Sequence, residues 1–491
     1  MSVKQQQLDD AALVESGAEV PLYAASKTIY PQSVEGRFRN IKWTILFVTL
    51  GIYYFLPFVR WDRGLEAPSQ AVLVDLANRR FYFFFIEIWP QEFYYVMGLL
   101  ILAAFSLFLM NAVAGRIWCG YLCPQTVWTD LFLTVERWVE GDRRERMLKA
   151  TQPLSLERVT EITLKHFTWL MIAWWTGGAW VLYFADAPTL VVQLVTFHGE
   201  PVAYVWIAIL TFTTYFLAGF MREQVCTYMC PWPRIQAALI DEWALNVTYR
   251  YDRGEPRGSL KKSEALKHSG AKAGDCVDCN QCVNVCPTGV DIRDGLQIDC
   301  IQCGLCIDAC DNIMTRVGRP TGLIGYDTEI NVERREKGLA ALPVRIIRPR
   351  TILYAVLIAI VGGIMLYTLN TRNAVEMSAL HDRNPLYVTL SDGSIRNGYT
   401  LRLINKQTVE RTFLVSAEGL TGAKIESTAI ASDSANRLVV PVGRDQTLEL
   451  RVLVTVPAQH VHEGRSERVT IRVLEPISGA FATVDDHFFM P

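Results

Sequence analysis

At 491 residues the chain is too long for one compact domain. Half of it is hydrophobic (51 %) against 20 % charged, and the apolar residues gather into runs of bilayer length, which excludes a uniformly soluble protein. The formal net charge of −2 comes with no basic stripe of the kind a nucleic-acid partner needs, so none is expected.

Residues 1–40 are polar and read as a cytoplasmic N-terminal segment, with no secretory signal expected. Five apolar runs follow: Ile41–Val59, Phe93–Ala114, the Trp-rich Phe167–Phe184, Tyr204–Phe220 and Thr351–Leu369. Each is near the roughly 20 residues that span a bilayer as a helix. Phe81–Trp89 is too short for that and reads as an interfacial or re-entrant aromatic segment. The helices with their loops occupy 41–250, and a last span covers 351–370.

Two of the runs lead into the same motif. Gly115-Arg-Ile-Trp-Cys119-Gly-Tyr-Leu-Cys123-Pro124 follows the second, and Arg222-Glu-Gln-Val-Cys226-Thr-Tyr-Met-Cys230-Pro231 follows the fourth. This C-x3-C-P repeat places two sulfurs at i and i+4, on one face if the segment is helical. If the two helices pack, Cys119, Cys123, Cys226 and Cys230 converge into a soft site for Cu(I), zinc or another iron–sulfur cluster. Four structural cysteines are the bland alternative. Met221 and Met229 are nearby thioethers, more in keeping with packing. Asp142–Lys149 is a mixed-charge amphipathic stretch suited to lipid headgroups or plain solvation.

Residues 251–350 hold the densest chemistry. Cys276-x2-Cys279-x2-Cys282-x3-Cys286-Pro287 is followed by Cys300-x2-Cys303-x2-Cys306-x3-Cys310. This is the two-cluster ferredoxin run written twice, in which the fourth cysteine of each run serves the other cluster. Cys276, Cys279, Cys282 and Cys310 are therefore expected on one [4Fe–4S], and Cys300, Cys303, Cys306 and Cys286 on the second. Asp311 stands where the second run would carry proline, which leaves the ligand count intact. Two zinc sites or a disulfide knot are the competing readings, and the spacing disfavours both.

Basic residues crowd 116–166 and the region after span four, while the segment between spans three and four has none. The positive-inside rule puts the N-terminus and the cysteine-rich insert in the cytoplasm of a multi-pass bacterial inner-membrane protein. Five spans then put residues 371–491 in the periplasm. All 12 cysteines lie between Cys119 and Cys310, as a reducing cytoplasm would keep them. Six short alternating segments between Leu386 and Val473 predict an immunoglobulin-like β-sandwich there. His460 and His462 are a weak metal pair on its surface.

The Trp-Cys-Gly-Tyr-Leu-Cys-Pro and Cys-Thr-Tyr-Met-Cys-Pro motifs, the doubled ferredoxin run, the last span and the β-rich tail together resemble the FixG/RdxA/CcoG family of membrane-bound polyferredoxins. The resemblance covers nearly the whole chain. It implies a role in assembly of cbb3-type cytochrome c oxidase, with Cu(II) reduced to Cu(I), and partners among copper chaperones or oxidase assembly factors. The C-x3-C-P pairs also resemble those of the NapH and NosR membrane ferredoxins, which implies a quinol-linked conduit as the alternative. A third reading is an iron–sulfur redox sensor. The electron donor, quinol or a soluble reductant, stays open.

Overall fold

A computed structural model describes residues 28–63, 67–270, 273–371, 375–405, 410–428, 430, 432–443, 446–461 and 466–491. The chain forms two compact units. One comprises residues up to Trp61 with Gln70–Ile364; the other comprises Asp62–Ser69 with Met365–Pro491.

The first unit is built on long helices: α1 (Arg37–Phe55), α2 (Tyr94–Ala114), α3 (Pro124–Glu140), α4 (Leu156–Val181) and α5 (Pro201–Phe216). Among the described residues four helices are long and apolar enough to cross a membrane: Arg37–Phe58, Tyr94–Ala114, Pro201–Met221 and Pro349–Asn370. The remaining expected span, Phe167–Phe184, lies mostly within α4, a 26-residue helix. The first turns of α4 are charged rather than apolar: Arg158 and Lys165 bind Glu140, and Glu161 binds Lys149. Its apolar half packs along α5, where Gly177 brings the backbones together. A β-carbon at Gly177 would stand 2.9 Å from the Ile207 carbonyl oxygen, the close approach that small residues permit.

Charge is buried at the start of α1. Arg39 and Lys42 are both buried, and both meet Asp130 of α3, at 2.8 and 3.8 Å. A buried charge is tolerable only with such partners. The aromatic segment Phe81–Trp89 takes the form of a hairpin. Val72–Asp75, Arg80–Phe83 and Ile86–Ile88 make a three-stranded antiparallel sheet. Left-handed residues at Arg79 and Phe84 make the reversals, which its aromatic composition does not announce.

The cysteine-rich insert is closed by an antiparallel strand pair, Asn246–Tyr249 against Ile324–Asp327. The insert therefore begins a few residues earlier than the expected boundary at 251. Its principal helix is α6 (Leu305–Arg316). Helix α7 (Pro349–Asn370) follows.

The second unit is a sandwich of two antiparallel sheets. Lys424–Ser427, Thr447–Val456, Ile395–Asn405 and Val375–His381 lie side by side in one, with Val388–Thr389 paired to Ile395–Asn405. Leu438–Val442, Arg411–Glu418, Ser466–Leu474 and Phe481–Phe489 form the other. Alternate residues of both sheets, among them Tyr399, Leu401, Phe413, Val415, Val452 and Ile471, fill one core. The expected strand at Leu386–Leu390 is only two residues long. Val375–His381, Lys424–Ser427 and Phe481–Phe489 carry weaker alternation and were not among the six expected strands. His460 ends a short helical turn, and His462 lies outside the described residues.

Candidate metal centre

The two ferredoxin runs fold alike. In the first, Asp278 and Asn280 flank Cys279 with φ of 54° and 56°; in the second, Gln302 and Gly304 flank Cys303 with φ of 56° and 73°. Paired left-handed residues curl each loop tightly, a conformation that Asn, Asp and Gly accept most readily. The fourth cysteine of each run then reaches across. Ionisation of Cys310 is opposed by burial and next by Cys282, then by Cys276 and Cys279 as well. Cys286, Cys300, Cys303 and Cys306 line one cavity together with Cys282 of the first run, with Gly304 and Ile301 in its wall. The structure thus brings cysteines of both runs together, and their division into two foursomes is the expectation from the spacing.

All 12 cysteines are free thiols. Burial pushes Cys282, Cys300 and Cys310 up to about 12. Cys303 rises by burial too, with Lys42 pulling in the opposite direction. Thiols at this spacing, all but the exposed Cys279 buried or half-buried, suit a soft cluster whose own charge keeps the sulfurs as thiolates.

The C-x3-C-P segments are also built alike, though not as the regular helix that the i, i+4 spacing suggests. Helix α2 ends at Gly115, with φ 54° and ψ −122°. A short helix, Ile117–Tyr121, carries Cys119, and the chain then extends at Cys123, the N-cap of α3. The second copy repeats this. A π-helical turn, Leu217–Met221, ends at Arg222 with φ 44° and ψ −116°; a further π turn, Val225–Met229, carries Cys226, and Cys230 is extended. In both copies the last cysteine closes an i→i−5 bond: Cys123 N–H donates to the Trp118 carbonyl at 2.9 Å, and Cys230 N–H to the Val225 carbonyl at 2.8 Å. Each motif is therefore a widened loop, not a helix face.

The two loops meet. Burial pushes Cys119 up to about 12, and Cys123, Cys226 and Cys230 all add to the shift while Arg116 opposes it. Cys226 is likewise raised to about 12 by burial, with Cys123 and Cys230 adding to it. Gln236 accepts the Cys119 thiol proton across 3.2 Å. Met221 and Met229 belong to the two π turns.

This thiol quartet abuts the insert. Tyr121 donates to the Cys303 carbonyl at 2.8 Å, and the Arg116 N–H to Gln302 Oε1 at 2.9 Å. Thr227 donates to Asp299 at 3.0 Å. Cys226, Pro287, Thr288 and Ile301 share one cavity wall. Arg116 is buried, binds the Ile298 and Pro233 carbonyls, and feels Cys119, Cys300 and Asp299 together. Sequence reasoning passed over Arg116 and Gln236. The first is one of many arginines, and nothing in the order of residues places the second beside a cysteine.

Comparison with known proteins follows the same division. Residues 221–329 match the model of a 4Fe-4S dicluster domain, 95–140 that of a 4Fe-4S binding domain, and 365–491 that of the IG-like fold at the C-terminus of FixG. The nitrogen fixation protein FixG of Rhizobium meliloti is 49 % identical over 462 residues, covering 89 % of this chain and 88 % of that protein. The chain belongs to the FixG/RdxA family. Its other relatives include RdxB of Cereibacter sphaeroides, 50 % identical over 92 % of this chain and 93 % of the relative, and RdxA of the same organism, 52 % identical over 89 % and 91 %. A crystal structure of a FixG-related protein from Vibrio parahaemolyticus aligns with 24 % of this chain and 97 % of its own length, at 17 % identity and a TM-score of 0.21. Membership of the FixG/RdxA family and the two 4Fe-4S models make this an iron–sulfur electron-transfer protein with membrane-length helices.

Proposed function

We propose that the chain passes electrons through two [4Fe–4S] clusters and delivers them to Cu(II), giving Cu(I) for assembly of a cbb3-type cytochrome c oxidase. Cys276, Cys279, Cys282 and Cys310 hold one cluster; Cys300, Cys303, Cys306 and Cys286 hold the other. When bound, the clusters supply one-electron storage. The observation that carries the reading is the packing of the thiol quartet against the dicluster insert, at the ends of α2 and α5. The chain's own residues would wrap the clusters and set buried cations, Arg116 and Lys42, beside their thiols. The copper half draws on the family resemblance and on coordination chemistry, since Cu(I) prefers sulfur where Cu(II) prefers nitrogen and oxygen. Each Cu(II) takes one electron, and a copper chaperone or an oxidase assembly factor accepts the product. The insert lies in the cytoplasm and the β-sandwich in the periplasm, following the positive charge.

The test is a single turnover. Protein reduced without oxygen is mixed with Cu(II) and a Cu(I)-selective chelator. One Cu(I) is expected per cluster oxidised, and clusters that stay reduced would remove copper from the reading.

The quinol-linked conduit has one observation in its favour. A cavity of about 350 Å³ is lined by His166, Trp169, Phe220 and Glu223, at the same bend that leads to Cys226. His166 is hydrogen-bonded to Tyr215 at 2.9 Å. A quinol oxidised there would leave its protons on such groups, and reduction of the clusters by a soluble quinol analogue tests it.

A further inference from the structure

We infer that Cys119, Cys123, Cys226 and Cys230 hold a third [4Fe–4S] cluster, each C-x3-C-P loop supplying two of its four ligands. The inference deepens the proposed function by filling the quartet at the membrane end of the electron path.

Three observations converge on it. The first is arithmetic. The match to a 4Fe-4S binding domain spans 95–140, and that stretch contains only Cys119 and Cys123. A cubane needs four ligands. Eight of the 12 cysteines are committed to the doubled run, and the two that remain are Cys226 and Cys230.

The second is juxtaposition. Cys119 donates across 3.2 Å to Gln236, in the helix Trp232–Leu239 that follows Cys230. Gln125, in the helix that follows Cys123, donates to the Leu217 and Arg222 carbonyls at 2.9 and 3.1 Å. The two C-x3-C-P loops are therefore seated against one another, so that four sulfurs from two loops can serve one multinuclear core.

The third is the built loop. The same left-handed residue, the same extended cysteine and the same i→i−5 closure occur in both copies. Regular helices would have needed none of these. Widened turns leave room for a bulky inorganic core between the loops. The quartet adjoins the second ferredoxin run backbone to backbone at Gly120 and Cys303, so no side chain stands between the third cluster's loop and its neighbour's.

The test counts metal in full-length protein purified without oxygen. About 12 irons and 12 sulfides per chain are expected, three cubanes in all. C226S/C230S should lose about four of each while keeping the cluster signals of the insert. Should that variant fail to fold, C123S serves instead: it leaves three thiols, and after mild oxidation should show a three-iron signal absent from the wild type. A wild-type count of eight irons, unchanged in either variant, would overturn the inference. So would one tightly held copper or zinc per chain, lost in C226S/C230S. The single-turnover copper assay is independent of these counts. Failure there with 12 irons present removes the copper acceptor alone, and success with eight irons removes the third cluster alone.

Discussion

Gly120 lies flat against Cys303: a β-carbon on Gly120 would stand 3.1 Å from the Cys303 α-carbon and 2.7 Å from the Ile301 carbonyl oxygen. Backbone, unlike the end of a flexible side chain, has nowhere to go. Gly120→Ala should therefore push the first C-x3-C-P loop off the insert, at the roughly 1–3 kcal/mol typical of overpacking. The measurement is thermal stability together with iron content. A stable variant with full iron would show that the contact is incidental.

Arg116 is a buried cation between two sets of thiols, Cys119 on one side and Cys300 on the other. A cluster gains negative charge on reduction, and a nearby cation favours that state. Arg116→Gln should lower the potential of the cluster held by Cys300 by tens of millivolts, where about 59 mV is tenfold for one electron. Redox titration followed by EPR reads the shift. Unchanged potentials with full iron would leave Arg116 a purely structural hydrogen-bond donor.

Cross-ligation has its own signature. Cys310→Ala should damage the cluster of Cys276, Cys279 and Cys282, and Cys286→Ala that of Cys300, Cys303 and Cys306. EPR of the two variants separates the signals. If each substitution instead struck the cluster of its own run, the swapped assignment would be wrong.

Metal-free protein should be alkali-sensitive. Burial raises Cys119, Cys226, Cys282, Cys300 and Cys310 from about 9 to about 12. The folded state then holds these protons more tightly than the unfolded chain does. Their contribution to stability is fully present below about pH 9 and is lost as pH climbs towards about 12. At pH 8 the buried thiols should alkylate far more slowly than a free cysteine, since only the thiolate attacks. Alkylation rates followed from pH 8 to 11 check both statements. Fast labelling at pH 8 would contradict the burial.

Much of this could be seen in the residues themselves. The ferredoxin loops were legible because x2 spacing and left-handed residues are local properties. The sandwich was legible through period-2 strands such as Leu448–Val454, while Phe481–Phe489, interrupted by Asp485 and Asp486, was not. The C-x3-C-P repeat was visible, but its π turns were not, because no residue type marks an i→i−5 bond. Helix α4 was harder still. Its charges find partners in Glu140 and Lys149, which a window of hydropathy does not see.

The start of α1 shows how far apart in sequence cooperating residues can be. Its N-cap, Gly36, has no side chain to offer, and the carboxylate of Asp308 accepts the Phe38 and Arg39 N–H groups instead, at 3.2 and 2.8 Å. Asp308→Ala should cost about 1–2 kcal/mol, as lost helix caps do. A matching melt of Asp308→Ala and the parent protein would reveal an idle cap by showing no difference.

That cap also sets an order of events during synthesis. Helix α1 leaves the ribosome about 270 residues before the residue that caps it. Asp308 sits in α6 between Cys306 and Cys310, which the spacing of the two runs assigns to different clusters. The helix is thus completed by a segment whose flanking cysteines are proposed cluster ligands. Chains made in iron-starved cells should be cut by protease near Arg37 sooner than iron-replete ones, so that a shortage of iron is felt at the first helix in the membrane.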